Sequence, residues 1–216
     1  MGKKIVIFDL DGTLLDTLED LTFSLNFVLN SFGYEQKTLA QVQSYIGNGI
    51  SKLIERAIPN GGENLNYEMC ISLFKECYKN NMFNNTKPYK GIINLLNKIK
   101  EKGIIIAVVS NKFDFAVKKL CDNFFYGLVD YALGENESNS KNIKPSPKNI
   151  LNILDCYKIQ IGDALYVGDS DVDIKTAINA GILCVSVSWG YKSKDFLIAN
   201  GAEIIVDNPK DIIDYL

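Results

Sequence analysis

Short apolar runs punctuate the chain at Ile5 to Phe8, Ile104 to Val109, Val129 to Leu133, Leu165 to Val167, Leu183 to Val187 and Ile204 to Val206. Apolar or β-branched at most positions, they have the pattern of strands buried on both faces of a parallel sheet. Between them, apolar residues recur at helical spacing over Ile92 to Lys100, Phe115 to Cys121, Pro147 to Leu154 and Asp173 to Ala180. Strand and helix in alternation predict an α/β protein with a doubly wound parallel sheet.

The stretch from Thr17 to Thr86 breaks that alternation. Leu18, Leu21, Leu25, Val28, Leu29 and Phe32 recur at helical spacing, and Gly33 stands where a helix would stop. Further helices are predicted over Leu39 to Ile46, Ile50 to Ala57 and Tyr67 to Met82, with the turn residues Pro59, Asn60, Gly61 and Gly62 between the last two. The pattern predicts an all-helical insert of roughly 70 residues, the size of a small independent unit. It leaves the sheet after the first strand and returns near Pro88. The polar run Glu135 to Lys144 predicts a mobile surface loop.

The 216 residues, 47% hydrophobic and 23% charged, are enough to bury a full core in one large domain or two small ones. A formal net charge of −3 leaves no basic excess for a nucleic-acid backbone or an anionic membrane, so neither is expected as a partner. No apolar run is long enough to span a bilayer, and Ile5 to Phe8 is too short for a signal-peptide core. The five cysteines are scattered without a C-x-x-C pair, which predicts neither a disulfide framework nor a thiolate zinc site and fits a reducing cytoplasm. The absence of histidine excludes more chemistry than any other count. It removes Ser-His and Cys-His nucleophiles, an imidazole base and His-ligated metals, leaving oxygen ligands and hard cations such as Mg²⁺ or Ca²⁺.

The first strand runs directly into Asp9-Leu10-Asp11-Gly12-Thr13. Residues just past the carboxyl ends of strands line the crevice of an open parallel sheet, so both carboxylates are expected there. Like charges held together need a cation between them or a shared proton, and Gly12 lets the backbone turn sharply toward an anion. A capping Asp followed by an ordinary turn is the alternative at this motif taken alone. Val108-Val109 leads into Ser110-Asn111-Lys112, which brings a hydroxyl and an amide donor to a strand tip or else caps the next helix. Leu165 to Val167 leads into Asp169, Asp171 and Asp173. An acidic helix start explains one or two of these; five Asp at two strand ends in a chain without His are better explained by a bound cation. Lys144, before Pro145, is either a solvated surface lysine or the positive charge that such a cleft needs beyond the metal.

The order D-L-D-G-T, S-N-K after a strand, K-P, and G-D-S-x-x-D after a strand resembles the haloacid dehalogenase superfamily of phosphohydrolases. The likeness covers nearly the whole chain, and within the superfamily it is strongest to the phosphoglycolate phosphatase-like group. Tyr45-Ile46-Gly47-Asn48-Gly49 with Leu53 and Arg56-Ala57, Lys144-Pro145-Ser146-Pro147 and Trp189-Gly190-Tyr191 are similar to that group. The resemblance implies a Rossmann-like core over 1–16 and 87–216 with an inserted helical cap domain over 17–86.

It further implies an Mg²⁺-dependent phosphatase acting on a small phosphorylated metabolite, as a monomer or homodimer. Asp9 would be the nucleophile and Asp11 the acid and then the base. Asp9, the Asp11 backbone carbonyl and Asp169 would hold Mg²⁺, with Asp173 supporting them. Ser110 and the N–H groups of Leu10 to Thr13 and of Asn111 would bind the phosphoryl oxygens, and Lys144 would neutralise charge. The core motifs address only the phosphoryl group, so discrimination falls to the cap, where Gly47, Asn48 and Gly49 open a helix start suited to a second anion such as the carboxylate of 2-phosphoglycolate. Lys52 or Arg56 would assist there or remain solvated helix charges. A phosphosugar mutase, or a phosphatase for pyrophosphate, a sugar phosphate or a nucleotide, stays open, since they share the first half-reaction or much of the motif set. A receiver domain is a weaker fit, because it lacks the insert and the D-x-D start.

Overall fold

The structure is a computed structural model that describes residues 2–135 and 142–216. Six strands form one sheet in the order β5-β4-β1-β6-β7-β8, where β1 is Ile5–Phe8, β4 Ile105–Phe113, β5 Tyr131–Glu135, β6 Ala164–Gly168, β7 Leu183–Val187 and β8 Ile205–Val206. Every pairing is parallel, as runs apolar on both faces require; Ile5, for example, lies opposite Ile105 on one side and Ala164 on the other. The chain adds β4 and β5 on one side of β1 and then crosses to β6, so the strand order reverses at β1. A ligand crevice forms at the carboxyl ends of strands beside such a reversal.

Alternation along the strands divides the core between the two faces. Ile5, Ile7, Ala107, Val109, Ala164 and Tyr166 point to one face, where they pack with Ile150, Ile153 and Leu154 of α7 (Lys148–Cys156) and Ala177 and Ala180 of α8 (Asp171–Ala180). Val6, Phe8, Ile106, Val108, Leu165 and Val167 on the opposite face are equally buried. The α5 helix (Ile92–Glu101) and α6 (Asp114–Phe124) bury apolar stripes of their own: Leu95, Leu96 and Ile99, and Ala116, Val117 and Leu120.

Several element ends differ from the sequence pattern. The β4 strand runs past Val109 to Phe113, with its register against β5 broken between those two residues, so Ser110, Asn111 and Lys112 occupy the irregular stretch. Asp130 Oδ2 accepts from the Ile106 N–H at 2.9 Å, and β5 starts at Tyr131 rather than Val129. A short α9 (Lys194–Ala199), capped by Ser193, and a 3₁₀ segment over Pro209–Tyr215 carry too few turns to show a period in the sequence. The polar run predicted as a surface loop falls mainly on 136–141, outside the described residues.

The chain divides into two compact units, Met1–Leu15 with Pro88–Leu216, and Asp16–Lys87. Two-residue strands β2 (Leu15–Asp16) and β3 (Lys87–Pro88) pair where the chain passes from one to the other. The second unit is helical: α1 (Leu18–Ser31), α2 (Leu39–Tyr45), α3 (Ile50–Ala57) and α4 (Tyr67–Asn81). Its interior holds Leu21, Leu25, Val28, Leu53, Ile54, Phe74 and Tyr78. The buried Asp20 accepts from the N–H groups of Asn85 and Thr86 at 2.9 to 3.1 Å and from the Thr86 hydroxyl at 2.8 Å. One carboxylate thus ties the first helix to the end of the insert. Among the described residues, no helix is long and apolar enough to cross a membrane.

Candidate active site

The carboxyl ends of β1, β4 and β6 converge on a buried group of charges. Asp9 follows β1, Asp169 follows β6, and Asp173 lies in the first turn of α8; one carboxylate oxygen of each lies within 4.8 Å of the others. All three residues are buried, and so is Lys144, whose Nζ lies 2.8 Å from Asp9 Oδ1 and 2.7 Å from Asp173 Oδ1. Lys144 is the charge partner of the buried Asp9 Oδ1.

Three carboxylates with one ammonium between them leave the cluster negative. Burial pushes the Asp9 carboxyl up to about 7, against the pull of Lys144, with Asp173 and Asp11 pushing the same way. Burial, with the charges of Asp173 and Asp9, holds Asp169 well above the usual carboxylate range. For Lys144, burial favours the neutral form, but Asp173 and Asp9 outweigh it and raise the ammonium above its ordinary value. An all-carboxylate set that resists ionising fits a small hard cation.

The surrounding backbone fixes each group. Gly12 turns at φ +84°, and its N–H closes onto Leu15 O at 2.9 Å. A Cβ on Gly12 would stand 2.4 Å from Asp169 Oδ2, and one on Gly190 would stand 2.3 Å from Asp169 Cβ, so both glycines let backbone close around that carboxylate. Asp169 accepts from the Thr13 hydroxyl at 3.2 Å and the Tyr191 N–H at 2.7 Å, while the Trp189 indole N–H donates to Thr13 O at 3.0 Å. Asn111 grips the Lys144 backbone twice, donating to its carbonyl at 2.9 Å and accepting from its N–H at 2.7 Å.

Asp11 is not part of the carboxylate cluster. Both of its oxygens accept from Lys112 Nζ, at 3.0 and 3.1 Å, and Lys112 is as buried as Lys144. Asp171 pairs with Lys175 at 2.7 Å along the exposed side of α8. Ser110 is buried at the β4 tip, and the Lys112 N–H approaches its Oγ at 3.4 Å.

Matching this geometry, a sequence profile of the haloacid dehalogenase-like hydrolases fits residues 6–187. The chain belongs to the haloacid dehalogenase-like hydrolase family. This hydrolase is 31% identical over 218 residues to the phosphoglycolate phosphatase of Aquifex aeolicus, covering 98% of this chain and all of that one. It is 31% identical to phosphoglycolate phosphatase 1 of Pseudomonas aeruginosa, over 97% of this chain and 78% of that one. The crystal structure of a predicted phosphoglycolate phosphatase from Haemophilus somnus superposes with a TM-score of 0.90 at 29% identity, covering 98% of this chain and 97% of that one.

Several donors assigned to the substrate from the motifs are engaged within the protein. The Gly12 N–H is taken by Leu15 O and the Thr13 N–H donates to Leu10 O at 3.3 Å, while the Asn111 side chain, as distinct from its backbone N–H, is engaged with Lys144. The tight turn after β1 causes the first two, because four backbone groups must be satisfied inside it. In the helical unit, Gly47 and Gly49 have φ of +123° and +84°, and Gly49 opens α3. Arg56 donates to Tyr45 O at 2.6 Å and to Asn48 Oδ1 at 2.7 Å, so it shapes that turn, and Lys52 pairs with Glu55. The hydrolase also uses residues that the motif order did not single out by role: Lys112 on Asp11, Trp189 and Gly190 around Asp169, and Tyr166 on Asp173. Only the W-G-Y spelling hinted at the second pair.

Proposed function

We propose that the chain is a Mg²⁺-dependent phosphatase that hydrolyses a small phosphate monoester, 2-phosphoglycolate by preference, through a phosphoryl group carried on Asp9. The observation that carries this reading is the separate pairing of two acids two residues apart, Asp9 with Lys144 and Asp11 with Lys112. Such unequal surroundings let the two carboxylates take different roles, and Lys144 together with a bound cation would offset the burial that holds the proton on Asp9.

In the first transfer an Asp9 oxygen bonds to phosphorus as the bond to the leaving-group oxygen breaks, and Asp11 gives that departing oxygen a proton. In the second, Asp11 takes a proton from water as the water oxygen bonds to phosphorus, and the bond to Asp9 breaks. Lys144 offsets the repulsion between a carboxylate and a phosphate dianion, and Ser110 donates to a phosphoryl oxygen. Asp9, Asp169 and the Asp11 carbonyl would hold Mg²⁺ with Asp173 behind them. When bound, Mg²⁺ neutralises phosphoryl charge and fixes its orientation.

The helical unit is proposed as the cap, with the Gly47-Asn48-Gly49 turn reading the leaving group. The names of the two relatives support a carboxylated ester, and the cysteines, none of them in a disulfide, fit a cytoplasmic enzyme. A phosphate-release screen tests the assignment. The specificity constant for 2-phosphoglycolate is expected to exceed that for a neutral sugar phosphate by about tenfold or more, a difference of about 1.4 kcal/mol. Enlarging Gly49 should change this ranking more than the rate with an activated aryl phosphate. Equal constants would leave only the general phosphatase reading, and isomerisation without phosphate release would replace it with a mutase.

Chelation should abolish turnover, and Mg²⁺ should restore it. Stability follows the same charges. In the metal-free protein Asp9 holds its proton to about 7, against 3.8 for the ordinary carboxyl. Between those values the folded state binds the extra proton, so stability falls as pH rises through that window. The melting temperature in chelator is expected to drop from about pH 5 to about pH 7.5, and Mg²⁺ to recover part of the loss by binding the folded state. A rise over the same interval in chelator would contradict the electrostatic account of Asp9.

A further inference from the structure

Tyr166 stands in the middle of β6, fully buried between Leu165 and Val167. A phenylalanine would fill nearly the same space, and a buried hydroxyl costs stability unless it is bonded. The Tyr166 hydroxyl donates to Asp173 Oδ1 at 3.0 Å. Burial and the nearby Asp173 and Asp9 keep it protonated, so it acts as a neutral donor.

Asp173 is the fixed point of the cluster. Oδ2 accepts from the Ser170 N–H at 3.1 Å and the Ser170 hydroxyl at 2.6 Å, the reciprocal cap at the start of α8. Oδ1 accepts from Tyr166 and, at 2.7 Å, from Lys144 Nζ. Backbone crowds it from behind, since a Cβ on Gly168 would stand 2.4 Å from both Asp173 Cβ and Cγ. Lys144 Nζ also lies 6.0 Å from the centroid of the Tyr166 ring, so one side chain touches the lysine and its anchor together.

We propose that Tyr166 is a positioning residue whose hydroxyl shares Asp173 Oδ1 with Lys144 and so holds the ammonium midway between Asp173 and Asp9. The inference rests on the assignment of Lys144 to the phosphoryl charge. With the hydroxyl gone, Lys144 becomes the sole donor to Oδ1, and the ammonium shifts toward Asp173 and away from Asp9. The loss then falls on the step in which charge builds up around Asp9 rather than on ground-state binding.

The test is Tyr166→Phe, with Tyr166→Met as a second hydroxyl-free variant should the first fail to fold. With an aryl phosphate and saturating Mg²⁺, kcat is expected to fall about tenfold with KM within about twofold, the pattern of an interaction made in the transition state. Orthovanadate, measured by calorimetry in Mg²⁺, should bind weaker by a similar factor. Both losses should vanish when Tyr166→Phe is placed in a Lys144→Met background, because residues acting through one contact are not additive. Equal losses of vanadate affinity in the two backgrounds, or unchanged kcat and vanadate affinity, would overturn the proposal. Failure of the proposed function is seen separately, as no phosphate release from the wild type or as wild-type phosphate release from Asp9→Asn, and leaves the vanadate comparison readable.

Discussion

Asp9→Asn is expected to lose phosphate release by a factor on the order of 10⁴ or more, the scale of removing a nucleophile, while keeping its fold. The carboxamide has the same shape, so the packing around β1 is undisturbed. It also removes a buried carboxyl pushed up to about 7, so the metal-free variant above that pH should melt no lower than the wild type. Phosphate release with 2-phosphoglycolate and an aryl phosphate, beside thermal melts in chelator, checks both halves. A rate within tenfold of wild type would remove Asp9 from the chemistry; a collapsed melt would show a structural role instead.

Lys144→Ala is expected to cost about 3 kcal/mol or more of transition-state stabilisation, a hundredfold or more in rate, the scale of a lost electrostatic partner. It should also destabilise the protein, because Asp9 and Asp173 lose the ammonium that lies 2.8 and 2.7 Å from them. Stripping one partner from a buried ion pair typically costs about 3 to 5 kcal/mol. Lys144→Met separates the two effects: it keeps the stem that fills the space, so more stability than activity should return. Lys144→Arg should not rescue the rate, since its forked head is larger than the gap between two carboxylates already engaged. A Lys144→Ala rate within tenfold of wild type, in a folded protein, would return the residue to a structural ion pair.

The sheet was legible because its central strand Ile5–Phe8 is apolar at every position and Leu183–Val187 is interrupted only by the buried Ser186, the pattern of strands covered on both faces. Helix ends were less so: α6 runs three residues past Cys121, through the exposed Asp122 and Asn123 to Phe124, with no capping residue or glycine to mark its end in the sequence. Asp9, Asp169 and Asp173 come together because each sits at a strand end or a helix start, places that pattern alone reveals, whereas Lys144 reaches them from the turn that precedes α7. Their partners were hidden for a different reason. Lys112 meets Asp11 from 101 positions away through an irregular stretch of β4, and Tyr166 reads in sequence as one more apolar strand residue. The donors of Gly12 and Thr13 are spent in the turn itself, a backbone matter that residue identities do not record.

The phosphoryl group is expected to pass through Asp9. Mixing the enzyme with labelled 2-phosphoglycolate and Mg²⁺, quenching in acid within one turnover and digesting the protein tests it directly. Phosphorus label that survives a brief cold acid quench and is released by hydroxylamine is expected on the peptide that carries Asp9, formed no more slowly than phosphate is released and absent from Asp9→Asn. Full phosphate release with no label on that peptide at any quench time would contradict it.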